Sequence, residues 1–292
     1  MGELAGLASA VIWAGTNTVL RGQSVRLGAF VVNAWRALFA SACFVVIFLL
    51  TRRPADLLTL RPGPVLALLA SVVIGMAIGD SLQFMALAQI GVSRAVPISS
   101  CFPLFTVGLA ALFLHERIGA RTLAGSFLVI GGVTVLALPR AAQANKAVPG
   151  TAEHHWLGVA LALIAALCWA CSTTITRVAV EQIDVVTANT IRLPVSAAVL
   201  LLLGRGRAKL PPSRYGWRTF GILFLVGAVG TAGSGFLYLT SVQLAGAART
   251  AILSSTAPVF AMPLAVLFLR ERPGLRGLLG TLVAVAGIAL VV

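Results

Sequence analysis

Long apolar blocks alternate with short polar gaps along the whole chain. A helix needs about 20 apolar residues to cross the hydrocarbon core of a bilayer, and blocks near that length recur throughout the sequence. They are Leu4–Leu20, Ala29–Leu50, Val65–Ala88, Ala95–Leu114, Leu123–Leu138, Trp156–Ile175, Val185–Leu203, Phe220–Leu239, Ala251–Leu269 and Leu275–Val292. The pattern therefore predicts an all-α integral membrane protein with ten transmembrane helices.

The first five blocks and the last five are copies of each other. Polar and aromatic residues recur in register, which apolar composition alone would not produce. Because five is an odd number, the second copy must enter the membrane in the opposite orientation. We predict a first repeat at residues 1–138, a linker at 139–155 and an inverted repeat at 156–292. Matching residues include Trp13 and Trp169, Asn33 and Asn189, Arg36 and Arg192, Pro103 and Pro258, and Glu116 and Glu271.

Inverted repeats around a midplane site recur in secondary transporters, whose two halves rock against each other to alternate access. The blocks occupy nearly all of the chain, which leaves no room for a soluble catalytic domain. The duplication therefore predicts a secondary transporter for a small polar metabolite.

Composition and charge fit this class. The chain of 292 residues is 59% hydrophobic and only 10% charged, and its formal net charge is +14. Almost all of the basic residues lie in the gaps between apolar blocks, where they set orientation and contact anionic lipid headgroups. We therefore expect no nucleic-acid partner. Cys168 and Cys171 form a CxxC inside an apolar block, and no clustered histidines accompany them, so a metal site is not predicted.

Two matching segments carry a resemblance to a known family. Residues 99–117 read Ser-Ser-Cys-Phe-Pro-Leu-Phe and end on Leu-Phe-Leu-His-Glu-Arg, and residues 254–272 repeat this pattern. Together with the first-span Trp13, these segments resemble the drug/metabolite transporter superfamily in its ten-span EamA-type branch. The resemblance implies a helical bundle with a central cavity, no ATP hydrolysis, and exchange or ion-coupled movement. It also implies substrates such as amino acids and places the protein in the cell inner (plasma) membrane.

Three ionisable side chains stand well inside the predicted spans, namely Arg36, Asp80 and Arg192. Burying each one costs roughly 3 kcal/mol or more. Asp80 is the strongest candidate for a functional role, because the second repeat has no acidic residue at the matching place. It could bind a substrate ammonium group or carry a coupling proton. The alternative is a structural ion pair with Arg36 that locks the second and third helices.

Arg36 and Arg192 occupy equivalent places. A guanidinium can hold a carboxylate or phosphate through two hydrogen bonds. The duplication also fits a structural role, which we favour for Arg192.

Further polar and aromatic side chains are predicted to line a central site. Trp13 and Asn17 share one face of the first helix. Prolines in the fourth and ninth helices interrupt the hydrogen-bond ladder beside paired hydroxyls. Helix packing is the alternative for each residue taken singly. The predicted substrate-binding residues are Trp13, Asn17, Arg36, Asp80, Gln83, Ser99, Ser100, Trp169, Asn189, Ser254 and Ser255.

An intramembrane enzyme is the rival class. Aspartyl chemistry needs a second buried carboxylate beside Asp80, and the HExxH and GxxxxGK[ST] motifs are absent from the sequence. A pore-forming or lipid-scrambling protein is a further alternative that the sequence does not exclude. We expect no enzymatic activity and no cofactor. The expected partners are a small-molecule substrate and the lipid bilayer, and the expected state is a monomer or weak homodimer.

For the orientation of the chain in the membrane, the charge count of the whole chain and the charge count of the first repeat give opposite predictions. If both termini are cytoplasmic, more Lys and Arg residues fall in the outside loops than in the inside loops, against the positive-inside rule. Within the first repeat the bias runs the other way, and the first helices usually dominate. The resemblance also implies cytoplasmic termini, which is the orientation we predict.

Overall fold

The computed structural model describes residues 1–27, 29–137, 152–203, 216–269 and 275–292. All regular secondary structure in these ranges is helical, which confirms the predicted all-α class. The helices are α1 (Gly2–Leu27), α2 (Ala29–Thr51), α3 (Pro62–Ile90), α4 (92–113), α5 (Ala120–Ala137), α6 (Ala152–Val180), α7 (Val185–Leu203), α8 (Trp217–Ala245), α9 (247–269) and α10 (Leu275–Val291). A short 3-10 helix, Pro54–Thr59, lies between α2 and α3.

Six helices in the described ranges are long and apolar enough to cross a membrane. A helix satisfies all of its backbone hydrogen bonds internally, which is what a lipid environment requires. Ala120–Leu136 and Gly277–Val291 are apolar but shorter, and the count of ten spans stays a prediction. The six are Val31–Thr51, Pro62–Ile90, Arg94–Phe113, Trp156–Val180, Val185–Leu202 and Trp217–Ala245.

Large apolar side chains cover the outside of the bundle. Leu50 is 81% exposed, Phe113 70% and Leu282 65%. Water would not solvate such a surface, whereas lipid tails would. The chain is therefore a multi-pass membrane protein.

Helices α3 and α8 each contain a π-helical segment near the middle. In α3 this is Val73–Gly79, and in α8 it is Val226–Gly233. The two segments occupy corresponding places in the two halves of the sequence. A π-helical turn is rare and frequently marks a functional site. These segments were not predicted from the sequence, since glycines in an apolar helix are as typical of close helix packing as of a π-helical turn.

Helices α4 and α9 are broken at the predicted places. α4 consists of Val92–Ser99 and Phe102–Phe113, and α9 consists of Ala247–Ser254 and Ala257–Leu269. Near each break, serine hydroxyls donate to carbonyl oxygens of their own helix. Ser99 and Ser100 donate to Val96 at 3.1 and 2.8 Å, and Ser254 and Ser255 donate to Ala251 and Ile252 at 3.1 and 2.7 Å.

The third helix of each repeat packs against the first helix of the other repeat. Gly75 of α3 faces Ser172 of α6 so closely that an added Cβ would lie 2.6 Å from the Ser172 Oγ atom. Gly230 of α8 faces Thr16 of α1 in the same way. In the duplicated sequence Gly75 matches Gly230 and Thr16 matches Ser172. The contacts are therefore exchanged between the repeats, as at a self-complementary twofold interface.

The last helices of the two repeats, α5 and α10, meet along glycines. A Cβ added at Gly132 would lie 2.5 Å from the backbone nitrogen of Ala284 and the backbone oxygen of Gly280. A Cβ added at Gly125 would lie 2.7 Å from the carbonyl oxygen of Gly287. Small residues allow such close backbone approach in membranes, where packing drives helix association.

This contact gives a matched pair of variants. Gly132→Ala should destabilise the protein by about 1–3 kcal/mol, because the methyl group must push two backbones apart. Gly131→Ala is the control, since Gly131 is exposed and an added Cβ there meets nothing within 4 Å. The measurement is the thermal unfolding midpoint of the purified protein in detergent. Equal midpoints for the two variants would contradict the close contact of α5 with α10.

Candidate functional site

Arg36 of α2 lies against the face of Trp13 of α1. The Cζ atom of the guanidinium is 4.5 Å from the centroid of the indole ring, which is a cation–π contact. Such a contact stabilises a cation in a place where water is scarce. Two residues predicted from the sequence to belong to the site are thus brought together.

Asp80 begins the second α-helical segment of α3 and is bound by a residue of the other repeat. The indole Nε1 of Trp169, on α6, donates a hydrogen bond to the Asp80 Oδ1 atom at 2.8 Å. Phe102 of α4 packs edge-on against the same indole, with the ring centroids 6.1 Å apart. The carboxylate therefore lies where α3, α4 and α6 meet.

Arg36 and Asp80 do not form a direct ion pair, although they are near enough to interact electrostatically. Each charge instead contacts a tryptophan, one from each repeat. The ion pair considered as the structural alternative for Asp80 is therefore not the arrangement observed. Trp169 is the only hydrogen-bond donor to Asp80 in the described part of the chain, and an indole supplies a single donor.

The polar side chains continue from Trp169 to other residues of the second repeat. The hydroxyl of Thr173, one turn along α6, donates to the Trp169 carbonyl oxygen at 3.0 Å and lies 2.9 Å from the Tyr238 hydroxyl of α8. Tyr238 in turn lies near Arg192 of α7. We call this series the polar row. Its members are Trp13, Arg36, Asp80, Trp169, Thr173, Tyr238 and Arg192.

The other predicted site residues are engaged with backbone atoms or lie apart from these contacts. The Asn189 amide donates to the Val185 carbonyl oxygen at 3.0 Å and to that of Gly235 at 3.5 Å. Gln83 is 8% exposed, and its Oε1 atom is buried without a hydrogen-bond partner. The Ser99, Ser100, Ser254 and Ser255 hydroxyls lie at the helix breaks, and the side chain of Asn17 is outside the described part.

Tyr238 is a member of the polar row that was not predicted from the sequence. The signal available was a tyrosine inside an apolar block, in a chain that contains only two tyrosines. Buried tyrosine hydroxyls usually find a partner, and here the partner is Thr173, which shares a helix face with Trp169.

Glu116, which follows α4, contacts the start of α9. Its carboxylate accepts hydrogen bonds from the backbone nitrogens of Ala247 and Ala248 at 2.7 and 3.2 Å, and so caps the start of α9. Arg177 of α6 lies 3.9 Å from the same carboxylate. Gly246 has a φ of 89°, and an added Cβ there would lie 2.7 Å from the Glu116 Oε1 atom.

Neighbouring charged groups tie further helix ends together. Arg249 of α9 donates to Glu3 of α1 at 2.7 Å, and Arg52 lies 3.5 Å from Asp184. Partial burial of Asp184 acts to raise its pKa, but hydrogen bonds from Thr187 and the charge of Arg52 hold that pKa below its usual value. Asp184 thus stays ionised at neutral pH and caps the start of α7.

The polar row places charged groups bound by tryptophans of both repeats inside a bundle of apolar helices, and comparisons with known proteins point to a class of membrane protein. The EamA-like transporter family model matches residues 1–138 and 156–292. The chain therefore belongs to the EamA-like transporter family, within the drug/metabolite transporter superfamily.

Two relatives extend over nearly the full chain. An uncharacterized transporter from Archaeoglobus fulgidus is 26% identical over 289 residues, which cover 98% of this chain and 96% of that protein. A protein of known crystal structure superposes with a TM-score of 0.74 at 20% identity and covers 99% of this chain and 95% of its own. The second likeness shows the fold alone.

The bond between the repeats can be measured by a double-mutant cycle. Trp169→Phe removes the donor and Asp80→Leu removes the acceptor. Trp169→Phe alone should lower the free energy of unfolding by about 1–3 kcal/mol, because the buried carboxylate loses its hydrogen-bond partner. In the Asp80→Leu background the same substitution should cost less, as expected for groups in contact. Trp217→Phe, at an exposed position, is the control and should cost the same in both backgrounds. Equal costs of Trp169→Phe in the two backgrounds would contradict the hydrogen bond.

Proposed function

We propose that the protein is a secondary transporter that exports or exchanges small polar metabolites, such as amino acids, by alternating access. The hydrogen bond between Asp80 and Trp169 is the observation that carries this proposal. It joins the two repeats through a carboxylate that would be expensive to keep in the membrane without a function. A substrate group that binds the carboxylate changes the contact between α3 and α6, and through it the contact between the repeats.

The carboxylate is suited to this role because, among the described residues, only one of its oxygens accepts a hydrogen bond. Trp169 binds the Oδ1 atom, and the Oδ2 atom is left to accept a hydrogen bond from a substrate ammonium group or to take up a coupling proton. Arg36 stays close enough to interact with the carboxylate without neutralising it by a direct ion pair. The π-helical segment Val73–Gly79 directly before Asp80 gives α3 a place where its backbone can change hydrogen-bond register.

The exchanged glycine contacts support opposite orientations for the two repeats. The Gly75–Ser172 and Gly230–Thr16 contacts are equivalent, so a movement that separates one pair can be mirrored by the other at the opposite end of the bundle. Alternating access between two such arrangements needs no ATP and no separate soluble domain.

Flux measurements test the role of Asp80. Purified protein in proteoliposomes preloaded with unlabelled amino acids should exchange a radiolabelled amino-acid mixture in a saturable manner. Asp80→Asn should lower the exchange rate at least about tenfold, as expected when a charged hydrogen-bond partner is lost. Asp56→Asn, an exposed carboxylate before α3, should exchange at the wild-type rate. Wild-type exchange by Asp80→Asn would refute the proposal, and non-saturable leakage would indicate a pore or a scramblase instead.

We also propose that the protein lies in the inner (plasma) membrane with both termini in the cytoplasm. The charge bias of the first repeat supports this orientation, and the bias of the whole chain opposes it. Alkaline phosphatase fused after Val292 should therefore be inactive, and a fluorescent protein fused at the same place should be bright. The opposite pattern would show that the basic residues of the second repeat determine the orientation.

A further inference from the structure

The interior of the bundle holds more positive than negative charge. Arg36, Asp80 and Arg192 are the ionisable residues of the polar row that carry a charge at neutral pH, which gives two guanidinium groups for one carboxylate. Arg36 is near Asp80 and lies on the face of Trp13. For Arg192, the one titratable neighbour among the described residues is Tyr238, whose hydroxyl is neutral. The excess positive charge is therefore located at Arg192.

Arg192 also lacks hydrogen-bond acceptors. An arginine has five N–H donors and no acceptor. Its Nε atom is buried without a partner, and no hydrogen bond or ion pair among the described residues engages the rest of the guanidinium. The side chain as a whole keeps some accessible surface near the middle of α7. Its terminal nitrogens are thus free to meet a molecule that enters the bundle.

This finding changes the interpretation of Arg192 from the sequence. The duplication favoured a structural role, which would require Arg192 to bind a carbonyl or a carboxylate of the protein. No such partner is present among the described residues. Leaving a charge unpaired in an apolar interior is strongly destabilising. A ligand that supplies both negative charge and acceptor oxygens removes this penalty.

The surroundings of Arg192 suit such a ligand. Tyr238 and Thr173 share one hydrogen bond of 2.9 Å, in which either hydroxyl can be the donor. When Thr173 donates to Tyr238 instead of to the Trp169 carbonyl oxygen, the Tyr238 hydroxyl proton can be directed to a bound oxygen. The residue that matches Tyr238 in the first repeat is Gln83, and the carboxylate beside Arg36 has no counterpart beside Arg192. The two ends of the polar row therefore differ in what they can bind.

We propose that Arg192, together with Tyr238 and Thr173, binds an oxyanion group, a carboxylate or a phosphate, of the transported solute. The planar guanidinium holds two oxygens at once, which a point charge cannot do. This inference rests on the proposed transport function and defines its substrate class: the solute carries at least one oxyanion, and any cationic group it has binds at Asp80.

Equilibrium binding tests the proposal without requiring flux. The full-length protein in lipid nanodiscs is titrated at constant ionic strength with glycine, succinate or inorganic phosphate, and with the uncharged succinamide. At least one oxyanion should raise the thermal midpoint in a saturable manner, and succinamide should not. Glycine or succinate as the effective probe assigns a carboxylate, and inorganic phosphate assigns a phosphate group. Failure of all three oxyanions to bind would overturn the proposal.

The variants separate this site from the rest of the protein. Arg192→Gln should weaken oxyanion binding at least about tenfold, and Arg192→Lys should keep part of it because the charge is retained without the fork geometry. Tyr238→Phe should weaken binding more modestly. Arg61→Gln, an exposed arginine, is the matched control and should bind as the wild type does.

The outcomes for this site and for transport are independent. If Arg192→Gln does not fold, Arg192→Lys and Tyr238→Phe carry the test, and unchanged affinity in both overturns the proposal. If the wild-type protein exchanges amino acids saturably but Arg192→Gln binds oxyanions as tightly as the wild type, the oxyanion site is refuted and the transport function is supported. If oxyanion binding depends on Arg192 but the wild-type protein shows no exchange, the site is supported and the transport function is refuted.

Discussion

A carboxylate inside an apolar bundle must receive its hydrogen bonds from neighbouring side chains, because lipid offers none. Asp80 receives one from Trp169, which belongs to the other repeat. For this bond to form, α6 must lie close against α3. Gly79 provides the space, since an added Cβ there would lie 3.0 Å from the Trp169 Cδ1 atom. The hydrogen bond to Asp80 thus requires both a glycine at position 79 and the close approach of α6 to α3.

The polar row is asymmetric although it is built on a duplicated frame. Trp13 and Trp169 occupy matching places, yet one lies against a cation and the other donates to an anion. Arg36 and Arg192 also match, yet among the described residues only Arg36 has a carboxylate nearby. Helix packing follows the duplication closely, as the equivalent glycine contacts show. The chemistry departs from it, so the two ends of the row can recognise different groups of one solute.

The sequence predicted the features that depend on hydrophobic periodicity and on hydrogen-bond interruption. Apolar blocks indicated the helices, and the serines and prolines near Ser99 and Ser254 indicated the breaks in α4 and α9. Asp80 stood out because a lone carboxylate in an apolar block needs a partner. The identity of that partner could not be predicted, since Trp169 is distant in sequence and the contact depends on how α3 meets α6.

Other features have no local sequence signal. The π-helical segments of α3 and α8 depend on how each helix packs on its neighbours, and their glycines alone do not indicate them. That the Arg192 guanidinium has no hydrogen-bond partner among the described residues depends on which side chains the fold places around it. The duplication had instead suggested a structural role for Arg192. Tyr238 entered the site only because Thr173 lies within hydrogen-bonding distance of it. The charged residues of the site could therefore be predicted from the sequence, whereas the side chains that contact them could not.

Joining the two repeats in one polypeptide has a consequence for how this site could arise. Two separate, identical five-helix chains associated about a twofold axis would give both tryptophans the same partner and both arginines the same surroundings. A symmetric pair can hold two anions or two cations but cannot place an aspartate at one end only. In a single chain one half can carry Asp80 while the matching position of the other half is Gly235, and Arg192 has no hydrogen-bond partner among the described residues. The two halves therefore differ in charge, and under the binding proposed above a solute has a single preferred orientation in the bundle.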